Sequence, residues 1–274
     1  MDSYVVAGNP VEHSQSPFIH AEFARRTGQA MEYGRQLFPF DGFDASVHAL
    51  AARGVKGCNI TVPFKFAAFE ASSRPTERAR LAQAANVLRF DAEGWFADNT
   101  DGIGLVNDIE RNAGIALAGR RVLLIGAGGA AAGALGPLLA AGPDVLVVAN
   151  RTLDKAIALV DRHRAYASRT TLRASALTEC GRGFDVVVNA SASSLQRAAI
   201  PVAPEVLAPG ALALDMMYGA AAQPFLGWAA SNGAHGRDGL GMLVEQAAEA
   251  FDIFRGVRPE TAPVLAALRA RMAA

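Results

Sequence analysis

The sequence predicts an α/β protein with two domains, one of which contains a doubly wound parallel sheet. A length of 274 residues suits two domains. Apolar runs at residues 122–125 and 145–149 are typical of buried parallel strands, and the alanine-rich stretch between them fits a crossover helix. Further apolar runs at residues 184–190 and 211–216 supply more strands for this sheet.

The turn after the first of these strands carries a glycine motif. Gly126, Gly128 and Ala131 fit the pattern G-x-G-x-x-(G/A). Gly126 permits a sharp turn, Gly128 lets the backbone approach a pyrophosphate, and Ala131 lets the next helix pack closely on the strand. The free N–H groups at the start of that helix then bind phosphate. The motif and its strand–helix–strand context predict a Rossmann-type dinucleotide-binding domain.

The same segment has a competing interpretation as a membrane span. No charged residue occurs at positions 122–143, and Gly129 with Gly133 forms a G-x-x-x-G pair. We reject this interpretation because the segment has few large apolar residues, contains Pro137, and is followed at once by a second strand-like run.

The end of the second strand indicates which dinucleotide binds. An NAD site usually has an acidic residue here, whereas this chain has Asn150, Arg151 and Thr152. Arg151 can pair with a 2′-phosphate, and its two neighbours can donate hydrogen bonds to it, which predicts NADP. Alternatively, Thr152 caps the next helix and Arg151 is solvated, and both interpretations can hold together.

Composition excludes several classes of protein. The net charge is zero and there is no basic block, which argues against nucleic acid or an anionic membrane as a partner. The start of the chain does not resemble a signal peptide. Two cysteines and five histidines show no disulfide framework or metal-ligand spacing. We therefore expect a soluble, cytoplasmic, metal-free protein, with a monomer and a homodimer both left open.

The N-terminal part of the chain contains candidate site residues. Strands are predicted at residues 4–8 and 31–37, with helices at residues 17–26 and 43–53. Ser16 precedes Pro17 and would cap the first helix. Alternatively, Ser14 and Ser16 point their hydroxyls the same way beside a helix N-terminus, an arrangement that would bind a small carboxylate.

Lys65 follows a predicted strand that Pro63 ends. The chain has only three lysines among 26 basic residues, so a lysine kept here suggests a need for a group that can give up a proton. Taken alone, however, the residue type favours a solvated surface lysine at position 65. Asp98, Asn99 and Asp101 are, on the same terms, ordinary turn formers.

Strand ends in the predicted parallel sheet mark further candidates. Ligands of such sheets lie beyond the carboxyl ends of the strands, which places residues 189–194 and 216–218 near the cofactor. Alternating glycines at Gly239 and Gly241 precede a helix and predict close backbone approach. Gln246 on that helix is ordinary surface by its residue type alone. A helix at residues 103–112 would connect the domains.

Six stretches, in this order, resemble the shikimate dehydrogenase family. They are residues 8–17 (GNPVEHSQSP), 59–65 (NITVPFK), 99–102 (NTDG), 126–130 (GAGGA), 150–152 (NRT) and 238–243 (DGLGML). The resemblance covers nearly the whole chain. It implies NADP-linked reversible reduction of 3-dehydroshikimate to shikimate in aromatic amino-acid biosynthesis. It also implies a substrate domain at residues 1–102 with 239–274, separated by a cleft from an NADP domain at residues 103–238.

The resemblance also implies roles for individual residues. Lys65 and Asp101 would be the catalytic pair, with the residue that transfers the proton left open. Substrate would be bound through its carboxylate by Ser14, Ser16 and Tyr218, and through its ring hydroxyls by Thr61, Asn86, Asp101 and Gln246. The cofactor would be bound by Gly126, Ala127, Gly128, Gly129, Ala130, Asn150, Arg151, Thr152, Met216 and Gly239.

Some positions depart from the family pattern. The family usually has Asn-Ala-Thr-Ser and a glycine where residues 189–194 read NASASS, and a proline and a threonine where Ala220 and Gln223 stand. These changes put turnover or substrate choice in doubt, and leave three alternatives. They are a quinate or aminoshikimate dehydrogenase that uses NADP or NAD, a non-catalytic ligand sensor on the same scaffold, and a folate-linked dehydrogenase with a similar layout.

Overall fold

The computed structural model describes residues 1–191 and 200–273. The chain divides into two compact units. The first contains Met1–Gly104 and Val244–Ala274, and the second contains Leu105–Leu243. Each unit is built on one six-stranded sheet, so the predicted two-domain α/β class is confirmed.

The first unit has a mixed sheet with the strand order β2-β1-β3-β5-β6-β4. Its strands are β1 (Asp2–Gly8), β2 (Met31–Leu37), β3 (Gly57–Ile60), β4 (Arg74–Pro75), β5 (Val87–Arg89) and β6 (Phe96–Asp98). β1 pairs in parallel with β2 and β3, whereas β5 is antiparallel to both β3 and β6. The carboxyl ends of β1 and β3 therefore lie side by side, and the segments that contain Ser14 and Thr61 follow these ends.

Helices cover this sheet, and the unit boundary falls within two of them. They are α1 (Ser16–Thr27), α2 (Phe43–Ala52), α3 (Lys65–Glu70), α4 (Glu77–Ala82), α5 (Asp101–Asn107), α9 (Leu240–Arg255) and α10 (Ala262–Ala273). One face of the sheet packs an apolar cluster that includes Phe38, Leu50 and Ile60. The other face packs Tyr4 and Val87 against Phe254 of α9.

The second unit has an all-parallel sheet with the strand order β12-β11-β10-β7-β8-β9. Its strands are β7 (Arg121–Ile125), β8 (Val145–Asn150), β9 (Thr171–Ala176), β10 (Phe184–Asn189), β11 (Leu207–Asp215) and β12 (His235–Arg237). The helices that lie wholly within this unit are α6 (Gly129–Ala140), α7 (Leu153–His163) and α8 (Gln223–Ser231). A single π-helical turn at Asp108–Asn112 follows α5.

The uncharged segment at residues 122–143 contains strand β7 and the 12-residue helix α6. This agrees with the rejection of the membrane-span interpretation. Within the described part of the chain, no helix combines the length and apolarity that a membrane crossing needs. Both cysteines, Cys58 and Cys180, are buried free thiols.

Of the two predicted helix caps, the one at Ser16 is wrong and the one at Thr152 is right in position only. α1 already includes Ser16, and the preceding Gln15 occupies the N-cap position without a side-chain hydrogen bond. Thr152 does occupy the N-cap position of α7, but its side chain makes no capping bond.

Candidate active site and nucleotide-binding loop

Lys65 and Asp101 form an ion pair in the first unit. Each begins a helix, Lys65 in α3 shortly after β3 and Asp101 in α5 shortly after β6. Lys65 Nζ lies 2.5 Å from Asp101 Oδ2, and the two side chains are 16% and 7% exposed. Lys65 is therefore not the solvated surface lysine that its residue type alone favours, because its side chain is largely covered and paired with a carboxylate.

The second carboxylate oxygen of Asp101 is bound as well. Asn86 Nδ2 donates to Asp101 Oδ1 at 2.9 Å, and the Asp101 N–H donates to Asn99 Oδ1 at 3.2 Å. The carboxylate also lies in the first turn of α5, where the helix dipole favours negative charge. Because both oxygens face donors, the geometry fits an ionised carboxylate beside a protonated amine.

Asn86 holds the polar cluster together. Its Oδ1 accepts from the Thr100 N–H at 2.8 Å, and its Nδ2 lies within 3.2 Å of Asp101 Oδ1, Thr100 Oγ1 and Gln246 Oε1. An amide has two N–H groups for these three acceptors, so one acceptor is exchangeable. Gln246 is 8% exposed, which corrects its interpretation as ordinary surface. Thr100 is fully buried here and was not predicted.

The turn before Asp101 is fixed by its neighbours. Asp98 accepts from Thr76 Oγ1 at 2.6 Å and from two nitrogens of Arg78, and it also accepts from the Asn99 N–H at 2.7 Å. Asn99 Nδ2 in turn donates to the Ala84 carbonyl. Asp98 and Asn99 are therefore structural, as the turn-former interpretation has it, whereas Asp101 binds Lys65.

The two serines meet in the loop before α1. Ser14 Oγ lies 3.2 Å from Ser16 Oγ and accepts from the Ser16 N–H at 3.3 Å. Arg35 Nη2 donates to the Ser14 carbonyl at 2.6 Å, which anchors this loop to β2. Thr61 lies at the same edge of the sheet, so close to Gly8 that an added Cβ at position 8 would stand 2.3 Å from Thr61 Cγ2.

The glycine loop of the second unit has the geometry that the motif predicts. Gly126 adopts φ +113°, and a Cβ there would meet the Ala190 carbonyl at 3.0 Å. A Cβ on Gly128 would meet nothing within 4 Å, so this glycine faces open space. Gly128 is also the N-cap of α6 and has no side chain to occupy the N–H groups of Gly129 and Ala130. These features fit a bound pyrophosphate.

The residues expected to determine the preference for NAD or NADP lie at the carboxyl end of β8. Arg151 and Thr152 are exposed, and Asn150 Nδ2 donates to the Thr152 carbonyl at 2.8 Å, which fixes the turn. This turn is held by Asn150, and it leaves the Arg151 guanidinium accessible to an anion.

At the end of β11, a buried carboxylate orders the backbone. Asp215 is fully buried and accepts from the Met217 N–H at 2.9 Å and from Asn189 Nδ2 at 3.1 Å. Tyr218, in this second unit, follows at once. Of the departures from the family pattern at residues 189–194, positions 192–194 lie outside the described residues.

Gly239 lies just before α9 and Gly241 lies in its first turn, and both closely approach other parts of the protein. A Cβ on Gly239 would stand 2.3 Å from the Met216 carbonyl oxygen, and a Cβ on Gly241 would stand 1.7 Å from Asp108 Oδ1. Asp108 is fully buried and forms a bidentate pair with Arg237, at 2.6 and 2.8 Å. The pair was missed because Asp108 resembles an ordinary helical acid in the sequence.

In residues 1–191 and 200–273, no group of three or more His, Cys, Asp or Glu side chains is arranged to hold a metal ion.

Three family models match the chain. Residues 6–88 match the shikimate dehydrogenase substrate binding domain, and residues 108–200 match shikimate / quinate 5-dehydrogenase. Residues 239–269 match the shikimate 5′-dehydrogenase C-terminal domain. Together the matches cover most of the sequence in the order expected for this family.

Individual proteins show the same similarity. A shikimate dehydrogenase (NADP(+)) of Methylibium petroleiphilum is 63% identical, over 98% of this chain and 94% of its own length. The crystal structure of an Ael1 enzyme from Pseudomonas putida is 49% identical and has a TM-score of 0.89, with 98% of both chains covered. Shikimate 5-dehydrogenase from Thermus thermophilus, solved with NADP(H) and shikimate, is 29% identical with a TM-score of 0.85, over 99% of this chain and 100% of that one.

Proposed function

The chain belongs to the shikimate dehydrogenase family, and from this premise we propose that it catalyses the NADP-dependent reversible reduction of 3-dehydroshikimate to shikimate. The observation that carries the proposal is the ion pair of Lys65 and Asp101, with Nζ and Oδ2 2.5 Å apart. A ligand-binding sensor has no need of a covered proton donor held by a carboxylate, so the pair favours an enzyme.

Lys65 is the proposed proton donor. NADPH, when bound, supplies the hydride. As the carbonyl carbon gains hydride, the electron pair of the C=O π bond moves to oxygen, and this oxygen takes a proton from the Lys65 ammonium. Asp101 accepts hydrogen bonds from Lys65 and Asn86, so it is placed to keep the ammonium oriented rather than to donate a proton itself. In the oxidative direction the neutral amine takes the proton back.

The polar groups around this pair are the proposed substrate contacts. Asn86 and Gln246 lie beside Asp101. The Asn86 Nδ2 has three nearby acceptors for two N–H groups, so a ring hydroxyl of the substrate can replace one of these acceptors. Thr61 is proposed as a further hydroxyl ligand. Ser14 and Ser16 are proposed to bind the carboxylate, because their hydroxyls converge at the start of α1. Tyr218 is proposed as a third carboxylate ligand on the family pattern alone.

The second unit is the proposed NADP-binding domain. The open space at Gly128 and the uncapped first turn of α6 suit the pyrophosphate, which would contact residues 126–130. Arg151, with Asn150 and Thr152, is proposed to bind the 2′-phosphate. Met216 and Gly239 are proposed to lie at the nicotinamide end. The substrate domain is then proposed as residues 1–102 with 239–274, and the NADP domain as residues 103–238.

An absorbance assay tests this function. Purified protein is given shikimate or quinate with NADP or NAD, and formation of the reduced cofactor is followed. We expect the highest kcat/KM for shikimate with NADP. A preference for quinate or NAD would favour the paralogue, and tight binding of shikimate with no turnover under any combination would favour the sensor.

A further inference from the structure

A row of aromatic and amide groups, one link of which is the backbone carbonyl of Asn86, leads across the first unit's sheet to Asp101. His20 of α1 stacks on Tyr33 of β2, with ring centroids 4.0 Å apart and ring planes 5° from parallel. The Tyr33 hydroxyl donates to Asn59 Oδ1 at 2.6 Å, so the side chain reaches over β1 to β3. Neither ring belongs to the substrate contacts proposed above.

The direction of each hydrogen bond in this row is determined. Asn59 Nδ2 lies 3.3 Å from the Asn86 carbonyl, which can only accept, so Asn59 Oδ1 must face Tyr33 and the hydroxyl must donate. Burial raises the pKa of the Tyr33 hydroxyl well above its usual value, which keeps this donor protonated. Asn86 then continues the row, because its Nδ2 donates to Asp101 Oδ1 at 2.9 Å.

We propose that Tyr33 is a positioning residue for the reaction, acting through Asn59 and Asn86 on the Asp101 carboxylate that orients Lys65. Without the Tyr33 hydroxyl, Asn59 Oδ1 loses its donor, and the Asn59 amide is free to turn away from the Asn86 carbonyl. The Asn86 carbonyl keeps its hydrogen bond from the Ile60 N–H at 2.8 Å but loses its second donor, so the bond from Asn86 Nδ2 to Asp101 becomes less well directed. The expected consequence is a slower proton transfer rather than weaker binding of either substrate.

The inference rests on the proposed function and is tested with Tyr33→Phe, which removes only the hydroxyl. Tyr4→Phe is the matched control, because the Tyr4 hydroxyl bonds the Phe254 carbonyl at 3.2 Å in the same core but is not part of the row. We expect kcat for shikimate oxidation to fall about three- to tenfold in Tyr33→Phe. KM for shikimate and NADP should change less than about twofold. Tyr4→Phe should keep kcat while losing thermal stability to a similar extent.

A double-variant experiment tests whether Tyr33 affects kcat through Asn59. In an Asn59→Leu background the row is already interrupted, so adding Tyr33→Phe should lower kcat no further. An unchanged kcat in Tyr33→Phe, an equal loss in Tyr4→Phe, or an undiminished effect in the Asn59→Leu background would each overturn the inference. A parent protein that turns over neither shikimate nor quinate with either cofactor would instead overturn the proposed function, and the inference with it.

Discussion

Lys65 and Asp101 are 36 positions apart in the sequence, yet Nζ of one lies 2.5 Å from Oδ2 of the other. Each residue is the first of a helix that follows a strand of the same sheet. Backbone geometry at two helix starts therefore fixes the pair, and Asn86 adds a third constraint on the carboxylate.

Replacing Arg151 by alanine should reduce the preference for NADP over NAD. A hydrogen bond to a charged group contributes about 1.5–3 kcal/mol, so the ratio of the two kcat/KM values should fall roughly ten- to a hundredfold. The control is Arg182→Ala, which removes an exposed arginine before the amino end of β10, whereas Arg151 follows the carboxyl end of β8 in the same parallel sheet. An equal loss in both variants would remove Arg151 from cofactor choice.

Two alanine substitutions in the glycine loop should have different effects. Gly126→Ala forces a side chain into φ +113° and against the Ala190 carbonyl, so it should lower the free energy of unfolding by about 1–3 kcal/mol. Gly128→Ala faces open space, so it should leave stability unchanged but raise KM for NADP about tenfold. Urea unfolding and steady-state kinetics measure both. A normal KM for NADP in Gly128→Ala would place the pyrophosphate elsewhere.

Gly241→Ala should destabilise the protein strongly. Its Cβ would stand 1.7 Å from Asp108 Oδ1 and would displace the buried pair with Arg237, at a cost of about 3–5 kcal/mol. Gly227→Ala, within α8 and with no atom near the added Cβ, should be neutral or stabilising by up to about 1 kcal/mol. Urea unfolding that gave the two variants the same stability would contradict the packing seen at Gly241.

Two buried histidines should make the protein less stable in mild acid. Burial lowers the pKa of His20 to about 3 and that of His163 to about 4. Between these values and about 6.5, the unfolded chain binds protons that the folded chain does not, so the free energy of unfolding falls as pH falls. From pH 7.5 to 5.5 each histidine should contribute a loss of about 1.4 kcal/mol.

The test of this pH dependence is urea unfolding at both pH values. His20→Phe, which keeps a ring stacked on Tyr33, should remove about half of the loss. An undiminished loss in this variant would show that His20 titrates normally.

The central strands β7, β8 and β10 of the second unit could be predicted because they are buried parallel strands with nearly continuous apolar runs. The edge strands β9 and β12 and the two-residue β4 were missed, since they lack such runs and exist through pairing with a neighbour. Helix α8 was also missed, because it contains Pro224 and Gly227 within nine residues.

Some residues of the candidate site could likewise be predicted from the sequence, and others could not. Local motifs indicated the glycine loop and the turn at Arg151, because each is formed by consecutive residues of one segment. Thr100, Asn59 and Tyr33 have no local signal, because their roles arise from side-chain contacts between distant parts of the chain. Only the resemblance to a family indicated Asn86 and Gln246. Gly241 was predicted to allow a close approach, but its partner Asp108 could not be identified before the fold was known.

The rate of shikimate oxidation with NADP in Lys65→Ala shows whether the Lys65 amine takes part in the reaction. Lys56→Ala is the matched control, since Lys56 is an exposed lysine just before β3. We predict that Lys65→Ala loses turnover by at least about a hundredfold while its affinity for NADP, measured by calorimetry, stays unchanged. Lys56→Ala should be as active as the parent. Full turnover in Lys65→Ala would mean that the ion pair with Asp101 has no part in the chemistry and that Lys65 is not the proton donor.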